Sequence, residues 1–140
     1  MSRTASRAVQ AELQAWGKLR IVGVALISLV GLIHLIEAPE YFEAATYLGL
    51  LFLANFAGAT VAAVGIYRGL WSWGWGLGIL LAASAFLGYI LSRTVGLPGF
   101  YEDEFFEPMG VLSLIVEALF VLLYVMTIRR GTMETTRAAR

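Results

Sequence analysis

The sequence predicts an all-α protein, a four-transmembrane-helix bundle running up, down, up and down with both termini cytoplasmic. Three observations carry that expectation. The 140-residue chain is 59% apolar and 14% charged, against a charged share of about 25% in soluble domains, and its mean hydropathy is +0.77. Four apolar blocks, each close to the roughly 20 residues that cross a hydrocarbon core, fill most of the chain. The charges gather at the ends of those blocks. Buried helices of a soluble protein would leave too little polar surface to cover such a core. The blocks also lack the short apolar and polar alternation of transmembrane strands.

The first block, residues 19–36, follows a polar stretch with Arg3, Arg7, Glu12 and Lys18. At about 1.5 Å per residue it is slightly short for a core of about 30 Å, so flanking residues are expected to complete the crossing. No small-x-small cleavage site follows it, which favours a retained helix over a signal peptide. The second block runs from about Ala44 to Tyr67, broken only by weakly polar residues and Asn55, and Arg68-Gly69 closes it. The third begins near Leu70 and ends at Ser92-Arg93, so blocks two and three form a tight hairpin. The fourth opens after Pro108, whose missing N–H suits a first helical turn, and reaches residue 128 before Arg129-Arg130. The organisation read from these limits is a cytoplasmic segment 1–18, a transmembrane domain 19–128 and a basic cytoplasmic tail 129–140.

Orientation follows from the basic residues. Arg3, Arg7, Lys18, Arg20, Arg68, Arg129, Arg130, Arg137 and Arg140 fall at one end of the spans and only Arg93 at the other, which predicts a cytoplasmic location for the first end. The two outer connections carry Glu37, Glu40, Glu43, Glu102, Asp103, Glu104 and Glu107, seven of the ten acids. Between helices, lipid supplies no hydrophobic drive, so small residues that admit close backbone approach must do the packing. Ala54, Gly58 and Ala62 offer such a stripe on the second span, Gly78, Ala82, Ala85, Gly88 and Ser92 on the third, and Gly23 and Gly31 provide notches on the first. The run WSWGWG at 71–76 reads as an interfacial indole anchor.

A few polar residues stand out against this background. Glu117 lies about 12 Å into the fourth span, near mid-membrane, where a carboxylate is expected to face the bundle interior. Gly110, Ser113, Glu117 and Tyr124 share a broad face with it. Asn55 sits at a comparable depth on the second span, and its amide could meet Glu117 in either protonation state. His34, the single histidine, precedes Glu37 by three residues and Glu40 by six. Imidazole with carboxylates could take a divalent metal such as zinc or iron if Glu107 joined from the second outer connection, giving a His34, Glu37 and Glu107 set; a hydrogen-bonded histidine is the alternative. Arg93, alone among acids, is expected to pair bidentately with Glu37 or Glu107 and lock the outer cap.

Much chemistry is excluded. There is no cysteine, hence no disulfide, thiolate metal site or cysteine nucleophile. The sequence holds no P-loop, dinucleotide fingerprint, nucleophile elbow, HExxH or EF-hand. Its basic residues gather where orientation and anionic lipid account for them, without nucleic acid.

The segments GLIHLIEAPEYFEAA, LSRTVGLPG and EPMGVLSLIVE resemble those of small four-span prokaryotic integral membrane proteins of unknown function. The resemblance covers residues 21–128. It rests on an outer hairpin with His34, Glu37 and Glu40; on an SRT-x-GLP stretch, here Ser92, Arg93, Thr94, Gly96, Leu97 and Pro98; and on an EP-x-G-x-x-S-x-x-x-E helix with Glu107, Pro108, Gly110, Ser113 and Glu117. It implies the architecture, a prokaryotic cell membrane and a specific outer site. The leading expectation is an integral membrane binding or accessory protein with an outer-side polar pocket for a cation or small molecule. A proton-coupled carrier, a metal-dependent membrane enzyme and a structural subunit of a membrane complex are the alternatives. Lipids, and a homo-oligomer or membrane-protein partner, are the associations this composition fits.

Overall fold

The computed structural model describes residues 3–138, with the side chains of residues 1–6, 8, 9, 12 and 130–140 outside the described set. Of the basic residues that set the expected orientation, the side chains of Arg3, Arg130, Arg137 and Arg140 therefore lie outside the described residues. Four helices make up the fold: α1 (Arg3–Ala44), α2 (Thr46–Tyr67), α3 (Trp71–Thr94) and α4 (Pro108–Ala138). Each packs against two others in the cyclic order α1, α2, α3, α4 and back to α1. Candidate spans Leu13–Ala44, Thr46–Tyr67, Trp71–Thr94 and Pro108–Arg129 are all long and apolar enough to cross a membrane. Their outward faces carry Leu32, Leu50, Leu80, Leu87, Ile115 and Leu122. Such an exterior belongs in lipid, and the chain is a multi-pass helical membrane protein.

Helix α1 departs from its expected limits. It continues through Pro39 to Ala44, so Glu37, Glu40 and Glu43 sit on helix where a connection was expected. A proline removes one backbone bond, here to the Leu35 carbonyl, and a helix held on both sides by tertiary contacts survives that loss. The connection shrinks to the extended residue Ala45. The α2–α3 turn needs only residues 68–70, with Gly69 at φ 75° and the Leu70 N–H bonded to the Gly65 carbonyl at 2.9 Å. The longest link, residues 95–107, is folded by a tight turn in which Leu97 and Phe100 exchange both backbone bonds (2.8 and 2.9 Å). Pro98 and Gly99, the latter at φ 71°, occupy the two central positions with the residue types a type II turn selects.

The two ends of the bundle are built differently. The basic half is solid. Trp75 and Phe120 are fully buried there, stacked at 5.3 Å, among Ile27, Val30, Ile66 and Ala62. Each ring occupies a notch on another helix: a Cβ at Gly23 would lie 2.5 Å from the Trp75 ring, and one at Gly78 would lie 2.6 Å from Phe120. Trp75 thus corrects the reading of WSWGWG as an anchor throughout, because Trp73 is 77% exposed whereas Trp75 is 1% exposed. The small residues also divide their work in an unexpected way. Gly31 of α1 receives Ala59 of α2, while α2 and α3 touch most closely at Gly65 and Gly74, where a Cβ on Gly74 would stand 2.4 Å from the Ile66 backbone nitrogen.

That last contact makes a direct prediction. Gly74→Ala must push two backbones apart, and overpacking of this kind costs about 1–3 kcal/mol. Gly76, where an added methyl group would have nothing within 4 Å, should accept alanine at little or no cost. Unfolding titrations in mixed detergent micelles would compare the two, and equal stability of both variants would sink the close-approach account.

Candidate functional site

The acidic half of the bundle is hollow. A cavity of about 410 Å³ lies between the four helices beneath the 95–107 link. Among the residues expected to matter, His34, Glu37, Asn55, Arg93, Ser113 and Glu117 all border it. Two do not. Glu40 is exposed on α1, and Glu107 is engaged at the start of α4.

Four of the polar residues on the cavity wall form a layer. Counted from the acidic ends of their helices at about 1.5 Å per residue, His34, Asn55, Ser84 and Glu117 all lie roughly 13–15 Å deep. The His34 Nδ1 donates to the Val30 carbonyl at 2.9 Å, and the ring packs against Phe52 at 4.9 Å between centroids. A carbonyl only accepts, so in the neutral ring Nδ1 carries the hydrogen and Nε2 is left as an acceptor. Ser84 spends its hydroxyl on the Leu80 carbonyl at 2.7 Å, the backbonding expected of a helical serine. The Ser113 hydroxyl donates to Glu117 Oε1 at 2.8 Å, one turn away on the same helix. The second oxygen of Glu117 has no partner, nor has Asn55 Oδ1, although the two residues are only 2% and 8% exposed. The direct Asn55–Glu117 contact suggested by their matching depth is therefore not made.

Arg93 closes the top of the cavity, but not as an ion pair. Its Nε donates to the Glu104 carbonyl at 2.9 Å and its Nη1 to the Ser92 hydroxyl at 3.1 Å. The guanidinium lies 3.7 Å from the centre of the Tyr89 ring, a cation–π stack. Nη2 is buried and has no partner. The expected bidentate bridge to Glu37 or Glu107 is thus replaced by backbone, hydroxyl and ring contacts, because the link folds its carbonyls over the helix end before any carboxylate can reach it. Other bonds tie the same link down: Glu102 N–H to the Ser92 carbonyl (3.0 Å), Tyr47 hydroxyl to the Pro98 carbonyl (2.9 Å), and Tyr89 hydroxyl to the Phe105 carbonyl. Glu37 stays within electrostatic reach of Arg93, Glu107 and Glu40.

The His34, Glu37 and Glu107 metal set is not assembled. Among the described residues no three His, Asp or Glu side chains stand close enough to hold a metal ion. Glu107 has other work: its Oε1 accepts from the Met109 N–H at 2.7 Å and its Oε2 from the Gly110 N–H. It caps α4, satisfying N–H groups that a helix start leaves unpaired and placing negative charge at the positive end of the helix dipole.

Two contributors were missed at the level of sequence. Tyr89, the ring beneath Arg93, stands four residues before it on α3, and that spacing puts both on one face; the pairing was readable in principle. Phe52, which stacks on Tyr41 at 4.0 Å and supports His34, looks like any other apolar residue of its span and offered no signal. No family model, curated protein or solved structure matches this chain.

If Glu107 is a cap, Glu107→Ala should destabilise the protein by about 0.5–2 kcal/mol, with or without added Zn²⁺. Thermal melts in detergent, run with zinc and with chelator, check this. A zinc-dependent gain in the wild type that vanishes in the variant would restore the metal reading.

Proposed function

We propose that this is an integral membrane binding protein, whose hollow half receives a small molecule through a protonated amine or comparable hydrogen-bond donor. One observation carries the reading: Glu117 and Asn55 border one cavity, and Glu117 Oε2 and Asn55 Oδ1 are buried without a hydrogen-bond partner. A buried acceptor left unpaired costs about 1–3 kcal/mol, more if charged, and a donor brought in by a ligand removes that cost at both atoms. The His34 Nε2 lone pair adds a third acceptor at the same depth. Apolar residues such as Leu48, Leu51, Leu81 and Leu114 line the rest and suit a ligand with a hydrocarbon body.

The solid half favours binding over passage. A carrier needs a route to the opposite face, and below the polar layer Ile27, Val30, Trp75 and Phe120 fill the bundle with almost no exposure. A metal-dependent enzyme lacks its ligand cluster among the described residues. We further assign both termini to the cytoplasmic face of a prokaryotic cell membrane, from the nine basic residues at one end and the seven acids at the other; the cavity then lies toward the outside.

Two measurements test these assignments. Primary alkylamines of three to six carbons, titrated calorimetrically into the protein in nanodiscs, should bind, and Glu117→Gln should weaken them by about 10- to 100-fold, the worth of a charge-assisted bond. Absence of amine binding to the wild type would end the reading. For orientation, the cysteine-free chain allows single labels: Phe106→Cys should react with an impermeant maleimide on intact cells and Ser72→Cys only after lysis. The reverse pattern would invert the assignment.

A further inference from the structure

Arg93 raises a question that an amine at Glu117 leaves unanswered. Its side chain is 3% exposed, and a guanidinium stays charged at any relevant pH. Nε and Nη1 have oxygen partners, the ring face has Tyr89 and the Tyr41 side chain lies within reach of the guanidinium, yet Nη2 itself is buried with no hydrogen bond. An unmet donor on a buried cation is among the costlier features a protein can carry. The neighbouring carboxylate, Glu37, borders the same cavity but does not bond to it.

We infer that the ligand is bipolar: besides the amine at the Glu117 and Asn55 end, it carries a neutral hydrogen-bond-accepting oxygen, of carbonyl or amide type, that meets Arg93 Nη2. The inference rests on the reading under Proposed function and deepens it. Charge decides for a neutral oxygen over a carboxylate. With both carboxylates ionised the cavity wall holds Arg93 against Glu37 and Glu117, so a ligand of net charge +1 balances it. A zwitterion would leave the site negative and set its own carboxylate near Glu37, with Glu107 and Glu40 close behind.

Helix direction makes the two ends converge. Every Cα–Cβ bond tilts toward its own helix N-terminus. On α3, which ends at the acidic side, Arg93 therefore leans down into the bundle; on α4, which begins there, Glu117 leans back up. Counted from the helix ends or from Phe120 set against Gly78, the Arg93 and Glu117 Cα atoms are roughly 12–18 Å apart along the bundle. The two side chains close much of that distance and leave on the order of 5–10 Å, a ligand chain of roughly four to eight bonds.

The test is a matched series in nanodiscs, by calorimetry: ω-amino amides with two to six methylenes, the alkylamines of equal length, and the corresponding ω-amino acids. One spacing of the amide should bind at least about tenfold tighter than its alkylamine and tighter than its amino acid. Arg93→Lys, which keeps the charge and loses the planar fork, should shrink the amide-to-amine ratio toward one. Amides and alkylamines equal at every spacing would overturn the oxygen contact at Arg93 while leaving the amine site standing. Amino acids binding tightest would overturn the neutral-oxygen assignment in favour of an anion. No binding by any amine would defeat the underlying reading as well. If Arg93→Lys loses its helical circular dichroism because the cap collapses, the wild-type series alone decides.

Discussion

Two aromatic rings fitted into glycine notches hold this bundle in register. Trp75 of α3 enters the space beside Gly23 of α1, Phe120 of α4 enters the space beside Gly78 of α3, and the rings stack on each other at 5.3 Å. In lipid, helix association draws on contact and shape, because the tails outside are as apolar as the side chains inside. A ring that fills a notch gains dispersion contacts on every side, and aromatic pairs at this spacing add about 0.5–1.5 kcal/mol beyond area. These contacts join three helices at one level, and Gly31 against Ala59 brings in α2. The unpartnered Trp75 Nε1 is a cost the arrangement carries. With one half of the bundle so fastened, the other half has no need to be full.

The hollow half is closed by backbone contacts more than by charge. Seven acids surround that end, and a cap built on carboxylate pairs would have fixed Arg93 completely. Instead the guanidinium takes a carbonyl, a hydroxyl and a ring, which ties it to the 95–107 link and leaves Nη2 buried without a hydrogen bond. Glu107 is drawn away from the cavity by the open amides of α4. Glu107 is thus kept off the cavity wall, while Arg93 remains on it. The consequence is a chamber whose remaining polar atoms are unmatched in a pattern: acceptors deep, a donor near the top.

Much of the architecture was legible because the four spans follow from hydropathy, which responds to the membrane and not to neighbours. The inward face of α4 was legible too: Gly110, Ser113 and Glu117 share one side at helical spacing, and a carboxylate at that depth has only the interior to face. The partners of these groups were not. Proximity in depth suggested Asn55 for Glu117, yet a helical Ser four residues away reaches it at less entropic cost than a side chain across the bundle. The first span was read to end at residue 36, where its apolar run stops, whereas the contacts that carry α1 past Pro39 to Ala44 are not visible in sequence. The burial of Trp75 depends on Gly23, 52 positions earlier, and no local pattern in WSWGWG separates it from Trp73.

The division into a filled and a hollow half also bears on what the molecule can do with a bound guest. Moving a solute past Phe120 and Trp75 would require both rings to leave their notches at once, since they stack on one another, and the loss would reach three helices together. The cavity, by contrast, is bordered only by the acidic half of the helices and by Leu97 and Phe100 of the 95–107 link. The cavity is bordered by buried Arg93, Asn55 and Glu117 and also by the exposed Leu51 and Leu80, so it lies open between α2 and α3 toward the lipid as well as beneath the 95–107 link.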